Sequence, residues 1–375
     1  MTGAAVSVRS ALVVGAGIAG STLAYMLGSA GIDTTVVDDD AGPRSSGNPV
    51  DVRGLAIPIA EQMGVLDALR AAATHTTRLR AVDTHGHEIG WIPVQTSPDG
   101  FEIGRSDLAA ILATAAGPHA RFRHRDTVTA LHTDGRHGSG VEVSFRHAPP
   151  ARFDLVIGAD GLHSQVRRLA FGPEHQFVTP LGMYIATTML DGAAADPQIV
   201  LLHSAPGRAV AVHPGTGREG AAFIFRGSAG PGPADPRELL TRTYTGMGWR
   251  VPQLLDHARR DEQLWFDTVS RVQVPCWSRG PIVLVGDAAG AISLFGEGSS
   301  MAIVGAATLA QALTTHPDDL PAALARYEHA HRARLRHHHR SATLAAHLLV
   351  PATRTGTALR DTALRIWPRL TRAHP

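Results

Sequence analysis

The first forty residues alternate between short apolar runs and a helical pattern. Ala11 to Val14 is an uninterrupted apolar run typical of a fully buried parallel strand, and Thr34 to Val37 is a second one. Between them, apolar residues from Leu23 to Ala30 recur at helical spacing. The pattern predicts a strand, a helix and a second strand, the unit from which parallel sheets are built.

Similar buried strands are predicted later in the chain, at Phe153 to Ile157 and at Pro281 to Val285. The region between them follows a different pattern. Ile199 to His203, Arg208 to His213 and Ala221 to Arg226 are short strands separated by Pro and Gly turns, which predicts an antiparallel meander. The chain therefore combines a parallel sheet with an inserted antiparallel sheet.

Other segments complete the predicted elements. Thr77 to Pro93 is typical of a pair of strands, and Leu55 to Ala73 is helical in pattern. Helices are also predicted from Ser299 to Thr314 and from about Leu320 onward.

Glycines and an acid follow the first two strands. Gly15, Gly17 and Gly20 have the spacing G-x-G-x-x-G, in which Gly17 has no Cβ to hold a pyrophosphate away from the helix N-terminus. Asp38 ends the second strand, where a carboxylate would bind a ribose hydroxyl and repel the 2′-phosphate of NADP. We predict that this site holds FAD or NAD.

Three separate segments share one design, a buried strand that ends in a glycine turn with an acid beside it. They are Gly15 to Gly20, Gly158 to Gly161, and Gly286 to Asp287. Because the carboxyl ends of parallel strands lie along one crevice, the three turns can surround a single extended cofactor. NAD alone would not need the third turn.

Composition and length narrow the class of protein. The chain has 375 residues, enough for two domains, and its hydrophobic content of 44% is ordinary for a globular protein. No apolar run approaches the roughly 18 residues of a membrane span, so we predict a cytoplasmic protein without a membrane segment. Arg9 precedes an apolar run, a pattern also found in signal peptides. A signal peptide would not require the glycine spacing or the acid that follows the second strand, so we do not predict one. Cys276 is predicted to be a packed residue and not a nucleophile.

All 35 basic residues are arginine, and the net charge is only +2. Without a basic stripe, we predict no nucleic-acid partner, and without lysine no Schiff-base mechanism. His337, His338 and His339 are consecutive and point in different directions on a helix, so we predict no metal site.

The motifs together resemble those of the single-component FAD-dependent aromatic hydroxylases, the family of p-hydroxybenzoate hydroxylase. Within it, the order and length of the segments are most similar to the tetracycline-inactivating and actinobacterial polyketide-tailoring monooxygenases. Besides the first glycine motif, the resemblance covers V-D-V-R-G at Val50 to Gly54, R-S-D-L at Arg105 to Leu108, D-G-L-H-S-Q-V-R at Asp160 to Arg167, and G-D-A-A at Gly286 to Ala289.

The resemblance implies the residues of the cofactor site. They are Gly15, Gly17, Ile18, Ala19, Gly20, Asp38, Asp39, Arg53, Arg105, Val128, Asp160, Asp287, Gly298, Ser299 and Ser300. It implies that Arg53, Gly296 and Gly298 act beside the flavin ring as catalytic residues, and that Asp160 serves both FAD and NADPH. As alternatives, Arg53 and Arg105 could form surface ion pairs, and Asp160 could cap a helix.

The resemblance implies an α/β fold, a Rossmann-type FAD-binding domain with an inserted antiparallel-sheet substrate domain and C-terminal helices. The predicted FAD-binding domain is discontinuous and comprises residues 7–76, 101–178 and 275–318. The substrate domain comprises 77–100 and 179–274, and the C-terminal helical region comprises 319–375.

The implied function is an NAD(P)H- and oxygen-dependent monooxygenase with FAD, NADPH being the favoured reductant. It would hydroxylate or epoxidise an aromatic or polyketide-like small molecule through a flavin C4a-hydroperoxide, in natural-product biosynthesis or antibiotic modification. A monomer or homodimer is expected. The alternatives are an FAD-dependent oxidase or dehydrogenase, and a non-catalytic flavin- or ligand-binding protein. A halogenase is disfavoured, since Trp91-Ile92-Pro93 lacks the W-x-W-x-I-P spacing and lysine is absent.

Two positions differ from the family pattern, and both alter the predicted wall of the reaction cavity. Gly290 replaces a histidine, and a proline beside the flavin is replaced around Ser293 and Leu294. The candidate substrate residues are His203, His213, Phe223, Phe225, Leu294 and Phe295. The first four alternate along strands, so core positions are the alternative for them.

Overall fold

A computed structural model of the chain describes residues 8–42, 49–94, 100–133, 140–227, 235–293 and 298–371, and within these the side chains of all but 337–348 and 367–371. The strands, in chain order, are β1 (Ser10–Val14), β2 (Asp33–Asp38), β3 (Pro49–Val52), β4 (Arg78–Val82), β5 (Glu88–Pro93), β6 (Phe101–Gly104), β7 (Arg121–His124), β8 (Val128–His132), β9 (Val141–Phe145), β10 (Ala151–Phe153), β11 (Leu155–Gly158), β12 (Val178–Met189), β13 (Ile199–Ala205), β14 (Arg208–His213), β15 (Gly220–Arg226), β16 (Trp265–Gln273), β17 (Ser278–Arg279), β18 (Ile282–Leu284) and β19 (Gly290–Ile292). The helices are α1 (Ile18–Ser29), α2 (Ala56–Gln62), α3 (Leu66–Ala71), α4 (Arg105–Ala116), α5 (Gln165–Ala170), α6 (Pro236–Tyr244), α7 (Val251–Arg260), α8 (Gly298–Thr315), α9 (Leu320–Leu349) and α10 (Arg354–Thr371).

A largely parallel sheet with the order β17-β18-β11-β1-β2-β7 contains the predicted buried strands. Val14 of β1 lies beside Gly158 of β11, and Gly158 lies beside Leu284 of β18. The carboxyl ends of the three strands are therefore level with one another. The mixed α/β fold predicted from the sequence is confirmed.

A second sheet of eight strands has the order β19-β16-β12-β15-β14-β13-β4-β5. One of its faces packs against α6 and α7, through residues such as Tyr184 and Leu254. The opposite face contains Ile185 and Ile224 and is partly covered by Val350, which follows α9. Strand β19 belongs to this sheet, although the predicted domain division assigned its residues to the FAD-binding domain.

Two local predictions need correction, and one strand was not predicted. The helical pattern from Leu55 to Ala73 is divided at Gly64, whose φ of +69° is incompatible with a continuing helix. Strand β12 was not predicted from the sequence. Cys276 was predicted to be packed, yet it is exposed.

The C-terminal helices extend the fold beyond the parallel sheet. Helix α10 packs on β5, where a side chain at Gly90 would collide with the backbone carbonyl of Leu364. Among the described residues, no helix is both long enough and apolar enough to cross a membrane.

Close packing of α1 on β1 depends on Gly20. A Cβ at this position would lie 1.8 Å from the carbonyl oxygen of Gly15 and 3.3 Å from Cγ1 of Val13. The first contact is with backbone, which cannot rotate away as a side chain can. The glycine therefore sets how closely the helix approaches the strand.

We predict that Gly20→Ala destabilises the protein by about 3 kcal/mol or more, because overpacking against backbone forces α1 away from the sheet. Gly42→Ala is the control, since a Cβ there meets no atom within 4 Å and the change should stay within about 0.5 kcal/mol. Urea unfolding of both variants without added FAD measures the difference. Equal stability of the two variants would contradict this account.

Candidate active site

The first strand-end turn contacts the second directly. Gly15 has a φ of +104°, a backbone conformation that is strained for any residue with a side chain. Its N–H donates to the carbonyl of Val37 at 2.7 Å. A Cβ on Gly15 would lie 2.5 Å from the carbonyl oxygen of Ala159 and 2.9 Å from Cα of Asp160. Only a glycine allows the two turns to approach this closely.

The N-terminus of α1 opens onto free space. Gly17 is the N-cap residue, no side chain caps the helix there, and a Cβ on Gly17 would meet nothing within 4 Å. The first N–H groups of the helix therefore face a space that an anion can enter. This arrangement fits the pyrophosphate of a dinucleotide, and Ile18 and Ala19 lie in the same first turn.

Asp38 belongs to this turn as well as to the end of β2. Its carboxylate accepts hydrogen bonds from the N–H of Ala16 at 2.6 Å and of Asp40 at 2.8 Å. Asp39 is exposed and pairs with Arg146 of the β9–β10 connection. Asp38, the predicted ribose-binding acid, thus lies beside the glycine turn.

Asp160 organises the second turn. It accepts hydrogen bonds from Oγ of Ser164 at 2.5 Å and from the N–H groups of Gln165 at 2.7 Å and Val166 at 3.0 Å. Burial raises the pKa of its carboxyl, although these donors oppose the shift. These hydrogen bonds are those expected of a residue that caps the N-terminus of α5, the alternative considered for Asp160. Its role toward a cofactor remains a prediction.

The arginine of the second motif is a buried link. Arg167 is fully buried, and its guanidinium donates to the carbonyl of Leu162 at 2.5 Å and to that of Ala288 at 3.1 Å. It thereby joins the turn of Asp160 to the turn of Asp287.

The third turn completes the group. Gly286 has a φ of +62°, and a Cβ on it would lie 2.9 Å from Cβ of Ala19, so this turn packs on α1. Asp287 faces the N-terminus of α8, where a Cβ on Gly298 would lie 3.9 Å from its Oδ1. Three acids and two helix N-termini therefore surround one region, as a cofactor with phosphates and a polyhydroxyl chain requires.

The N-terminus of α8 also holds the segment that carries Arg53. Oγ of Ser300 accepts the N–H of Arg53 at 3.1 Å and donates to the carbonyl of Asp51 at 2.9 Å. The Arg53 guanidinium lies 3.9 Å from the Asp51 carboxylate. The ion pair considered as an alternative for Arg53 is therefore present, at a long distance. Ser299 is buried beside Ser300.

The other predicted site residues are less informative. Arg105 is the first residue of α4 and is half-buried, and Val128 is buried in β8. Gly296, Leu294 and Phe295 lie outside the described residues.

A cavity of about 180 Å³ lies on the face of the eight-stranded sheet opposite to α6 and α7. Most of its lining side chains are small or apolar, and the lining residues are Pro49, Thr187, Thr188, Val200, Ala211, His213, Gly220, Ala221, Ala222 and Ile224. Pro49 begins β3, whose Asp51 accepts from Ser300, so one short strand connects the cavity to the N-terminus of α8.

Of the four strand residues predicted to contact substrate, only His213 lines this cavity. Phe223 and Phe225 are buried on the opposite face, in the cluster under α6 and α7. His203 is buried too, with Nδ1 3.0 Å from the carbonyl of Val82 and its ring against Trp249. We therefore assign these three residues to the core.

Glu102 is the functional candidate that sequence reasoning missed. Its Oε1 accepts from His213 at 2.8 Å, from Thr74 at 2.5 Å and from Thr76 at 2.6 Å. These residues come from three distant segments, and no spacing motif contains them.

His163, inside the second motif, contacts two acids. Its Nδ1 lies 2.9 Å from Glu174, and its Nε2 lies 3.2 Å from Asp267 of β16. The hydrogen bond to Asp267 is the main cause of a raised pKa, and with the contact to Glu174 it outweighs burial and brings the pKa of His163 to about 9. At neutral pH the imidazolium links the Asp160 turn to the eight-stranded sheet.

The fold and the three turns are those of a flavoprotein oxidoreductase, and a cavity lies on its second sheet. Comparison with known proteins agrees. The chain belongs to the family described as FAD binding domain, whose model matches residues 9–342.

The similar proteins share most of their length with this chain. An uncharacterised protein of Mycobacterium tuberculosis, Rv1260, is 35% identical over 85% of the chain and 88% of its own length. A flavin-dependent monooxygenase from an unknown prokaryotic organism is 33% identical over 85% of the chain and 84% of its length. The crystal structure of tetracycline destructase Tet(51) is 26% identical, with a TM-score of 0.83 over 97% of each chain. The protein is a FAD-dependent monooxygenase, as the motifs indicated.

We predict that Gly17→Ala weakens FAD binding at least tenfold, about 1.4 kcal/mol, because the added methyl occupies the space in front of the α1 N-terminus. Its stability without FAD should change by less than about 0.5 kcal/mol, since the methyl meets no protein atom. Titration of the FAD-free protein with FAD measures the affinity. Ser29→Ala, at the other end of α1, is the control. Unchanged FAD affinity in Gly17→Ala would refute the phosphate assignment.

We predict that His163→Gln removes a pH-dependent part of the stability. A pKa raised from 6.5 to about 9 stabilises the folded state fully below pH 6.5, and this contribution disappears as the pH rises through 9. The difference in urea midpoint between wild type and variant should therefore shrink between pH 6.5 and pH 9.5. His257→Gln is the control, since the ring of His257 contacts a backbone carbonyl and not an acid. A difference that is constant with pH would contradict the ionic link.

Proposed function

We propose that this monooxygenase takes electrons from NADPH and hydroxylates or epoxidises a flat aromatic or polyketide-like small molecule. The observation that carries the proposal is the cavity on the eight-stranded sheet, joined through β3 to the region of the three turns. Small residues such as Ala211 and Ala222 leave a flat floor, which suits a planar ring system. Similarity to a protein named tetracycline destructase supports a polycyclic substrate.

Bound FAD, once reduced, supplies the activation of oxygen, and the chain binds, orients and shields it. Gly17 and the first turn of α1 would hold the pyrophosphate, and Asp287 the ribityl hydroxyls. The N-terminus of α8, at Gly298 and Ser299, would stabilise negative charge on the pyrimidine side of the flavin.

NADPH is proposed to meet the flavin near Asp160 and Arg53. Asp38 at the glycine turn disfavours a 2′-phosphate there, so that turn serves FAD. The G-x-G-x-x-G segment at Gly15 leads into a helix, whereas the second one, Gly215 to Gly220, connects the antiparallel strands β14 and β15 and has no helix N-terminus to hold a pyrophosphate. This supports a transient site for the nicotinamide nucleotide.

Gly290, which replaces the histidine of the family pattern, is relevant to whether the enzyme is a monooxygenase or an oxidase. A Cβ at Gly290 would lie 3.5 Å from Leu335 and 3.7 Å from Trp277, both of which are buried. Apolar side chains therefore border the position where the family has a histidine. These side chains would keep water away from this position, and a dry site favours the monooxygenase over the oxidase.

We predict that labelled oxygen gas puts one labelled atom into the product. A panel of phenolic and polycyclic compounds is first screened for those that increase NADPH consumption by the FAD-loaded enzyme. Product from the best compound is then analysed by mass spectrometry, with enzyme lacking substrate as the control for peroxide. An unlabelled product, with peroxide equal to the NADPH or substrate consumed, would identify an oxidase.

A further inference from the structure

The hydrogen bonds of His213 define its tautomer. The N–H of Gly215 lies 3.0 Å from Nδ1, and since a backbone N–H can only donate, Nδ1 carries a lone pair. In the neutral ring, the proton is therefore on Nε2, which donates to Glu102 at 2.8 Å. Both ring nitrogens are engaged by the protein. His213 thus offers the cavity its C–H edge and its faces, and no free nitrogen.

Glu102 places a fixed charge against this ring. Burial opposes its ionisation, but the hydrogen bonds from His213, Thr74 and Thr76 outweigh burial and hold its pKa below the usual range. Its side chain is only 15% exposed. At neutral pH a carboxylate with little access to water therefore lies in direct contact with a wall of the cavity.

The described lining of the cavity contains no arginine, and its one histidine, His213, accepts the Gly215 N–H at Nδ1, which leaves that nitrogen without a proton. Two arginines lie on strands that contribute to the lining, Arg208 on β14 and Arg226 on β15. Their side chains donate to the backbone carbonyls of Thr243 and Val350. The negative charge of Glu102 would repel an anionic ligand in the cavity, and no arginine of the lining would pair with that ligand. This repulsion weakens the binding of anions.

We propose that Glu102 and His213 make this cavity select against anions, so that the substrate is a neutral or cationic flat aromatic compound and not an aromatic carboxylate. The inference names a substrate class for the proposed function and rests on it for the reaction. Repulsion by a poorly hydrated charge excludes a competitor that fits by shape, which is how specificity against a similar ligand is achieved.

The test measures binding of three probes of one shape to the FAD-loaded enzyme by calorimetry. The probes are 2-naphthol, 2-naphthoate and 2-naphthylmethylammonium. We expect 2-naphthol and the ammonium to bind at least tenfold more tightly than 2-naphthoate. Glu102→Gln, which keeps an acceptor for His213 and removes the charge, should improve 2-naphthoate about tenfold and leave 2-naphthol within threefold.

Three further variants make the result specific. Glu102→Asp keeps the charge and should keep the discrimination. Asp107→Asn removes a carboxylate bonded to Thr216 on the turn after His213, outside the cavity lining, and should not change the ratio. Ala211→Phe fills the floor and should abolish binding of all probes. Equal affinity for 2-naphthol and 2-naphthoate, an unaltered ratio in Glu102→Gln, or binding that survives Ala211→Phe would overturn the proposal.

Calorimetry needs no turnover, so this inference and the proposed reaction can fail separately. A charge preference in an enzyme that puts no label into product would refute the monooxygenase reaction and support the cavity assignment. Labelled product from an enzyme without charge preference would support the monooxygenase reaction and refute the proposed selection against anions.

Discussion

The close contact of two backbone turns is the constraint on which the site depends. Gly15 and Ala159 approach so closely that a single methyl group would separate them. The contact is possible because β1, β11 and β18 are parallel and in register, so their ends are level. Packing of a buried sheet thereby determines where the acids and helix N-termini lie, and a binding region for an extended cofactor follows from it.

The second sheet separates two tasks by the alternation of side chains along its strands. One face is covered by α6 and α7 and supplies stability through large aromatic residues such as Phe223. The other face bears smaller residues and leaves room for a ligand. Glu102 and its threonine partners connect this face to neighbouring segments, because their hydrogen bonds join β14 to β6 and to the segment before β4.

The predictable part of the molecule is the part whose signal is local. Gly15, Gly17 and Gly20 stand within six residues of one another and after an apolar run, so their geometry followed from spacing. Alternation along β15 indicated that Phe223 and Phe225 share a face, but not that helices cover it, since that depends on α6 and α7. The pair of Glu102 and His213 is separated by 111 positions and forms only through tertiary packing. No pattern in the sequence contains such a pair.

Arg167 has a consequence for how the cofactor region can move. Its guanidinium is planar, and it donates to one carbonyl in the Asp160 turn and to another beside Asp287. A planar group with fixed angles sets the separation between its acceptors in a way that a flexible ammonium would not. Moving one turn relative to the other would therefore break a hydrogen bond of a buried guanidinium. An opening movement that keeps both hydrogen bonds displaces the two turns together.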